Sequence, residues 1–132
     1  MPEIGDNFIV TLGPTHIDWG NEPRKTDTRN IRLGENYIPI PFEKSKKYSI
    51  YNSNKGTGLG INEFYARSSD GNYNNIVKTT GSVVAGSIYA KNLHEKGNLK
   101  GFGKWFSIMN VTEGTRIKIE WISNKEILMT IL

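Results

Sequence analysis

The stretch 116-RIKIEWISNKEILMTI-131 carries the clearest structural signal in this 132-residue chain. Its first part, Arg116 to Ile122, alternates the apolar residues Ile117, Ile119 and Trp121 with charged ones. This alternation is typical of a β-strand with one buried face and one face in water. Its last part, Glu126 to Ile131, is a second β-type run, and the polar triplet 123–125 separates the two. The stretch therefore predicts a β-hairpin.

Shorter runs of β-branched and aromatic residues precede this hairpin. They predict five further strands, at Asn7–Leu12, Tyr48–Tyr51, Ile61–Arg67, Ile76–Thr79 and Trp105–Met109. One helix is predicted from the N-capping residue Ser82 to Lys96-Gly97, and one helical turn at Phe42–Lys47. The long polar connections 13–36 and 68–75 carry no regular pattern. We therefore predict one mainly-β (α+β) domain over residues 1–132, barrel-like or sandwich-like, with one or two helices.

Composition excludes several classes of protein. Apolar residues make up 36% of the chain, which is enough for one core, and no run reaches the roughly 18–20 apolar residues of a membrane span. The first seven residues are polar and acidic, so we expect no secretory signal and a cytoplasmic location. The absence of cysteine excludes disulfides, thiol catalysis and Cys-based metal sites. The two histidines, His16 and His94, stand alone in sequence, so we expect no zinc site.

Positive charge is unevenly spread along the chain. Lys and Arg number 17 against 13 Asp and Glu, a formal net charge of +4. Residues 1–18 contain three acids and no base, so every lysine and arginine lies beyond them. They form three basic clusters: Arg24, Lys25, Arg29 and Arg32; Lys44, Lys46, Lys47 and Lys55; Lys91, Lys96, Lys100 and Lys104. Such clusters favour a polyanionic partner, although lysine-rich loops can also be merely solvated.

Two polar segments, 13–30 and 67–80, combine cations with amide and hydroxyl side chains. Arginine pairs with guanine through two hydrogen bonds, asparagine pairs with adenine, and serine, threonine or lysine contact bases or phosphates. Two such segments on a rigid β scaffold are suited to reading a DNA groove. Turns are rich in Asn, Asp, Ser and Gly for conformational reasons too, so composition alone does not settle the matter.

Motifs for catalysis and cofactor binding are missing from the sequence. No Gly-x-Ser-x-Gly elbow, P-loop or nuclease-type acid-x-Lys motif is present. The glycine-rich run 56–60 does not open a convincing helix, so a dinucleotide site is not expected. We therefore predict a non-catalytic module with no catalytic residues, no metal and no cofactor.

A family resemblance rests on two stretches. Ile17-Asp18-Trp19-Gly20 is followed by a basic polar stretch to Asn30, and Glu35-Asn36-Tyr37-Ile38-Pro39-Ile40-Pro41 comes next. This order resembles the B3-type DNA-binding domains of certain restriction endonucleases. Two departures are that Asp18 stands where those domains have Asn, and that no Leu-Gly-x-Tyr-Phe-Arg pattern follows Ser82.

The resemblance implies an open β pseudobarrel of seven or so strands with one or two short helices. It also implies two arms that embrace a DNA duplex and enter its major groove, the first at Trp19–Asn30 and the second at Arg67–Lys78. In such enzymes this module serves as target reader or effector site, while a separate nuclease domain or subunit cuts. Trp19 lies beside Gly20, and Tyr37 enters the apolar run 38–41, so we predict that both bury their rings and anchor the first arm to the barrel.

The resulting prediction is sequence-specific binding of double-stranded DNA. Candidate DNA contacts in the first arm are Asn21, Arg24, Lys25, Thr26, Arg29 and Asn30. Those in the second arm are Arg67, Ser69, Asp70, Asn72, Tyr73, Asn74, Asn75 and Lys78. Predicted phosphate contacts are Lys44, Lys46 and Lys47. Two alternatives stay open at this point: a structural or protein-interaction β module, such as a phage accessory protein, and a small nuclease with an unrecognised site.

Overall fold

The fold was derived from a computed structural model that describes residues 2–17, 36–54, 60–81 and 87–132. These ranges contain seven strands: β1 (Asn7–Thr11), β2 (Ile38–Pro39), β3 (Glu63–Ser68), β4 (Asn74–Thr80), β5 (Asn92–Glu95), β6 (Arg116–Ser123) and β7 (Glu126–Ile131). They also contain three short helices: α1 (Pro14–Ile17), α2 (Phe42–Lys47) and α3 (Gly103–Ile108).

All seven strands belong to one mixed sheet, in the order β1-β6-β7-β3-β4-β5-β2. Six neighbouring pairs hold the sheet together, and five of them are antiparallel; β3 and β7 pair in parallel. The sheet curls into a nearly closed, barrel-like form. The prediction of a mainly-β domain with about this number of strands is thus confirmed.

The predicted C-terminal hairpin forms as β6 and β7, with Ile119 opposite Met129 and Trp121 opposite Ile127. The inward-facing residues of both strands are buried, and the Trp121 indole lies edge-on to the Phe64 ring at 5.5 Å between centroids. Such aromatic pairs stabilise a core beyond the apolar area that they bury. The alternation in the sequence therefore marks the two faces of the barrel wall correctly.

The predicted strand Trp105–Met109 is wrong, since Gly103–Ile108 forms helix α3. Phe102, Trp105 and Phe106 are all buried, and their spacing of three and four residues places them on one side of a helix. The rings of Phe102 and Phe106 lie 5.8 Å apart. The composition of such a short aromatic run is compatible with a strand or a helix. The helix forms because it places all three rings in the core.

The predicted helix from Ser82 to Lys96 is wrong in its described part, because Asn92–Glu95 is strand β5. Leu93 faces the core between Ile38 and Thr79 on the neighbouring strands. Pairing with two strands outweighs the local helical spacing. Residues 82–86 lie outside the described ranges.

The predicted strand Tyr48–Tyr51 is also not formed. Tyr51 makes an isolated bridge to Tyr89, and Ser49 adopts a left-handed conformation that ends α2. The predicted helical turn Phe42–Lys47 is confirmed as α2. No helix within the described ranges is long and apolar enough to cross a bilayer.

Candidate nucleic-acid interface

The second polar segment forms the β3–β4 hairpin rather than a long loop. Arg67 and Asn74 are cross-strand partners, and the chain reverses between them over residues 69–73. The reversal requires Gly71, whose φ of +83° lies in the left-handed region that other residues rarely adopt. The predicted second arm is therefore a tight turn at one end of the barrel wall.

Asp70 holds this turn in place. Its carboxylate accepts hydrogen bonds from the Ser68 hydroxyl at 2.8 Å, the Asn72 backbone at 2.9 Å and the Trp105 indole nitrogen. Desolvation raises the pKa of Asp70, but these hydrogen bonds together outweigh it and keep the pKa below its usual range. The Asp70 side chain thus ties the turn to helix α3.

Tyr73, another predicted DNA contact, has its side chain in the core. It is only 6% exposed, and its ring packs against Phe102 and Trp105. Its hydroxyl donates to Glu95 Oε1 at 2.9 Å. Burial, together with the hydrogen bond and charge of Glu95, raises the pKa of Tyr73 well above its usual value. In this conformation the ring supports the hairpin and offers no surface to a ligand.

The other predicted residues of the second arm lie at the surface, with Lys78 half-buried. Asn72 donates its amide to Met109 Sδ at 3.5 Å, and Asn75 accepts from the backbone of Ile76. Lys78 lies between Glu63 and His94 on the adjacent strands. Arg67, Ser69 and Asn74 make no side-chain hydrogen bond or ion pair within the described ranges, so their polar groups are available.

Sequence reasoning missed Tyr65, which stands on the outer face of β3 and is 63% exposed. Tyr65 lines two open hollows of ≈ 300 and ≈ 230 Å³. The first hollow is also lined by Lys125 and Glu63, and the second by Arg67, Asn74 and Glu126. Tyr65 could have been found from the sequence, because Phe64 and Ala66 on either side face the core.

The predicted contacts of the first arm, Asn21, Arg24, Lys25, Thr26, Arg29 and Asn30, lie outside the described residues, as does Trp19. The residues on either side of that segment are described. The Tyr37 backbone donates to the His16 carbonyl at 3.0 Å, and the Tyr37 ring lies against both His16 and His94. Tyr37 is half-buried against the two histidines, and its role as an anchor of the first arm stays a prediction, since that arm lies outside the described residues.

Helix α3 connects the two arm regions. The Phe102 backbone, directly before α3, donates to the side chain of Asn36, which follows the first segment. Trp105, within α3, donates to Asp70 in the β3–β4 turn. Asn36 and the β3–β4 turn thus lie at the same end of the barrel, both in contact with the α3 region.

The predicted phosphate contacts Lys44, Lys46 and Lys47 lie on α2, with Lys46 and Lys47 exposed. The ammonium groups of Lys44 and Lys47 lie 5.8 and 5.7 Å from the centre of the Tyr48 ring. Helix α2 follows Ile40, which donates to Lys91 beside Thr80, at the far end of β4 from the β3–β4 turn. The seven residues of β4 span about 20 Å at the rise of a strand. The structure does not bring these lysines next to the second arm.

Few cations of the described ranges are neutralised by acids. Lys96 pairs with Glu63 at 2.9 Å, and within those ranges no other lysine or arginine forms an ion pair. The remaining cations are Lys44, Lys46, Lys47, Arg67, Lys78, Lys91, Lys100, Lys104, Arg116, Lys118 and Lys125. Their charges are available to an external anion. In the same ranges no group of three His, Asp or Glu side chains converges as metal ligands would.

Comparison with protein-family models and with curated proteins finds no match for the chain.

Proposed function

We propose that this protein binds double-stranded DNA sequence-specifically, as the B3-type domains that it resembles do. The observation that carries the proposal is the exposed pair Arg67 and Asn74, side by side on β3 and β4. A guanidinium donates two hydrogen bonds to a guanine edge, and an amide both donates to and accepts from adenine. Two such side chains on neighbouring strands are held rigidly enough to read adjacent base pairs.

Two further features support the proposal. The flanks of the first polar segment lie at the same end of the barrel as the β3–β4 turn, so both arms can reach one duplex. Lysines without an acidic partner supply phosphate contacts, which dominate affinity for DNA, and those on α2 are the ones proposed for this role. In this proposal Lys44, Lys46 and Lys47 hold phosphates and set affinity rather than specificity.

We place the module in a restriction-endonuclease-type system, as a target-recognition or effector-binding part whose cutting is done by a separate nuclease domain or subunit. The module itself is not an enzyme in this proposal, and it needs no cofactor. A DNA-binding role also fits the cytoplasmic location expected from the sequence.

One observation favours a second candidate function, a protein-interaction module. Tyr65 is largely exposed and lines two hollows, and protein interfaces are enriched in aromatic residues of this kind. Exposed tyrosines are enriched among the residues that dominate such interfaces. The two candidates differ in the residue they depend on, Arg67 in one case and Tyr65 in the other.

Selection from a random duplex pool tests the proposed function directly. We expect an enriched motif, and affinity for it that falls as salt rises from about 50 to about 200 mM, with a log–log slope of roughly 0.9 per phosphate neutralised. Incubation of plasmid DNA with the protein and Mg²⁺ should give no cleavage. Failure to shift any duplex at about 50 mM salt would overturn DNA binding and leave the protein-interaction module. Cleavage that follows the protein through purification would make it a nuclease instead.

A further inference from the structure

Three aromatic side chains form a strip at the α2 end of the barrel: Phe42, Tyr89 and Tyr51. The rings of Phe42 and Tyr89 meet edge-on at 6.3 Å between centroids. The rings of Tyr89 and Tyr51 are stacked, 6.0 Å apart with 20° between their planes. This aromatic strip joins the region of Phe42 and Tyr51 to Tyr89, which lies 38 residues further along the chain.

The strip is not part of the hydrophobic core. Phe42 is 51% exposed, and the neighbouring Ile88 is 42% exposed. Tyr51 and Tyr89 are half-buried, and neither belongs to the cluster of buried core residues or packs against it as a partly buried member. A contiguous apolar surface of this kind is a feature of binding sites on monomeric proteins.

Positive charge lies on the elements that carry the aromatic strip. Helix α2 begins at Phe42 and carries three lysines, of which Lys46 and Lys47 are exposed. Lys91 lies two residues after Tyr89, and its carbonyl accepts from Ile40, just before α2. The described residues of α2 and of 87–92 contain one acid, Glu43. The surface is therefore complementary to a negatively charged ligand with flat apolar groups.

Nucleic acid with unpaired bases has these properties. Its backbone is anionic, and each base has a π-face that stacks on an aromatic side chain. In a duplex the π-faces are already stacked on neighbouring base pairs and cannot reach the strip. We propose that the aromatic strip and the lysines around it bind single-stranded DNA, with bases stacked on Phe42 and Tyr89.

This site goes beyond the proposed duplex-binding function. Its aromatic strip lies off the opposite end of β4 from the turn that holds Asp70, and the two functions share the lysines of α2 as phosphate contacts. The bases of an unpaired strand would stack on Phe42 and Tyr89, whereas the base pairs of a duplex would be read by Arg67 and Asn74.

The test compares two fluorescein-labelled 12-mers by anisotropy, an oligo-dT and an abasic strand of the same length and charge. Wild-type protein should bind oligo-dT at least several-fold more tightly than the abasic strand. Phe42→Ala should weaken oligo-dT binding roughly tenfold, since stacking contributes on that scale per base, and should leave abasic binding unchanged. Ile9→Ala removes a 45% exposed apolar side chain from the outer face of β1 and serves as the matched control, with no expected effect. Thermal melting of each variant shows that it is folded.

Three outcomes would overturn the inference: equal affinity for oligo-dT and the abasic strand, no effect of Phe42→Ala, or tighter binding of an oligo-rU of the same length. The selected duplex is measured in parallel with each variant. Loss of single-strand binding with intact duplex binding is expected for Phe42→Ala, whereas an equal loss of both would assign the strip to the duplex interface and refute a separate site. If oligo-dT binding persists while duplex binding is absent, the proposed duplex-binding function is refuted and the single-strand site is retained.

Discussion

The Trp105 indole nitrogen donates to both carboxylate oxygens of Asp70, at 3.2 and 3.1 Å. This contact joins helix α3 to the β3–β4 turn, although the two residues are 35 positions apart in the sequence. The same carboxylate orders the turn itself through Ser68 and Asn72. The conformation of the β3–β4 turn, beside the proposed base contacts, therefore depends on Asp70.

Replacing Asp70 with Ala should destabilise the fold by about 1–3 kcal/mol, because the partly buried Ser68 and Trp105 donors lose their acceptor. Urea unfolding followed by fluorescence measures this difference. Ser69→Ala is the matched control in the same turn, since the Ser69 side chain makes no hydrogen bond with a described residue. Equal stability of the two variants would show that the Asp70 contacts contribute nothing.

Ser49 should be a position where glycine stabilises the protein. Its φ of 55° is left-handed, and the Ile50 amide after it closes the end of α2 by donating to the Ser45 carbonyl at 2.9 Å. A side chain in this conformation carries a steric cost that glycine lacks, so Ser49→Gly should raise the free energy of unfolding by about 0.5–1 kcal/mol.

Asn110 ends α3 in the same way, with a φ of 53°. Asparagine tolerates this conformation better than serine, so Asn110→Gly should give a smaller gain. Chemical denaturation of both variants checks that Ser49→Gly gains more stability than Asn110→Gly. A loss of stability in Ser49→Gly would contradict the assigned strain.

His16 should make the stability depend on pH. Partial burial lowers the pKa of His16 below its ordinary value of about 6.5, and its Nδ1 accepts a hydrogen bond from the Gly13 backbone at 2.8 Å. Below pH 6.5 the unfolded chain takes up a proton at this residue that the folded chain resists. Stability is therefore complete above pH 6.5 and falls as the pH drops from there towards the lowered pKa.

The variant His16→Asn keeps an oxygen acceptor for Gly13 but does not titrate. Unfolding at pH 5.5 and pH 7.5 should show a smaller loss of stability in this variant than in the wild type. Between pH 7.5 and 9 the free energy of unfolding should depend on pH in the same way in the two proteins. Identical losses at low pH would rule out a contribution from His16.

Arg67→Ala should relax base discrimination at particular positions of the selected site, by about 1–3 kcal/mol if the contact is bidentate. Selection profiles of wild type and variant measure the change position by position. Lys118→Ala removes a cation from the outer face of β6, which β7 separates from β3, and should leave the profile intact. A selection profile of the Arg67 variant that matches the wild-type profile at every position would refute the role of the β3–β4 hairpin in base recognition.

Lys46→Ala should weaken binding to all duplexes by about the same factor and reduce the salt slope by roughly one. The reason is that a phosphate contact carries no sequence information. Lys118→Ala, on the outer face of β6, is the charge-matched control and should keep the slope. Sequence-dependent weakening in the Lys46 variant would instead place this lysine at a base edge.

The strands of the barrel were predictable where the sequence pattern of a strand involves only neighbouring residues. The alternation of Ile117, Ile119 and Trp121 depends only on adjacent residues, and it located β6 and its turn correctly. Strand β5 was missed because its pairing partners, β2 and β4, lie elsewhere in the chain. Helix α3 was read as a strand because six residues are too few for composition to separate the two periods.

The candidate site was predictable in part. Polar composition identified the β3–β4 hairpin but could not tell its exposed side chains from those that hold it together. The inward position of Tyr73, in step with Val77 and Thr79, becomes visible only once the start of β4 at Asn74 is known. Phe42 and Tyr89 are far apart in sequence, so no local pattern reveals the aromatic strip.

The parallel pairing of β3 with β7 also constrains the order in which the chain can fold during synthesis. Ser68 has its partner at Met129, and Phe8 of β1 has its partner at Ile119. While residues 116–131 are still in the ribosome, β3 and β1 each present an open edge, whereas β3, β4, β5 and β2 can already pair among themselves. Such edges can pair with another chain, so the nascent protein is most exposed to misassembly just before β6 and β7 close the sheet.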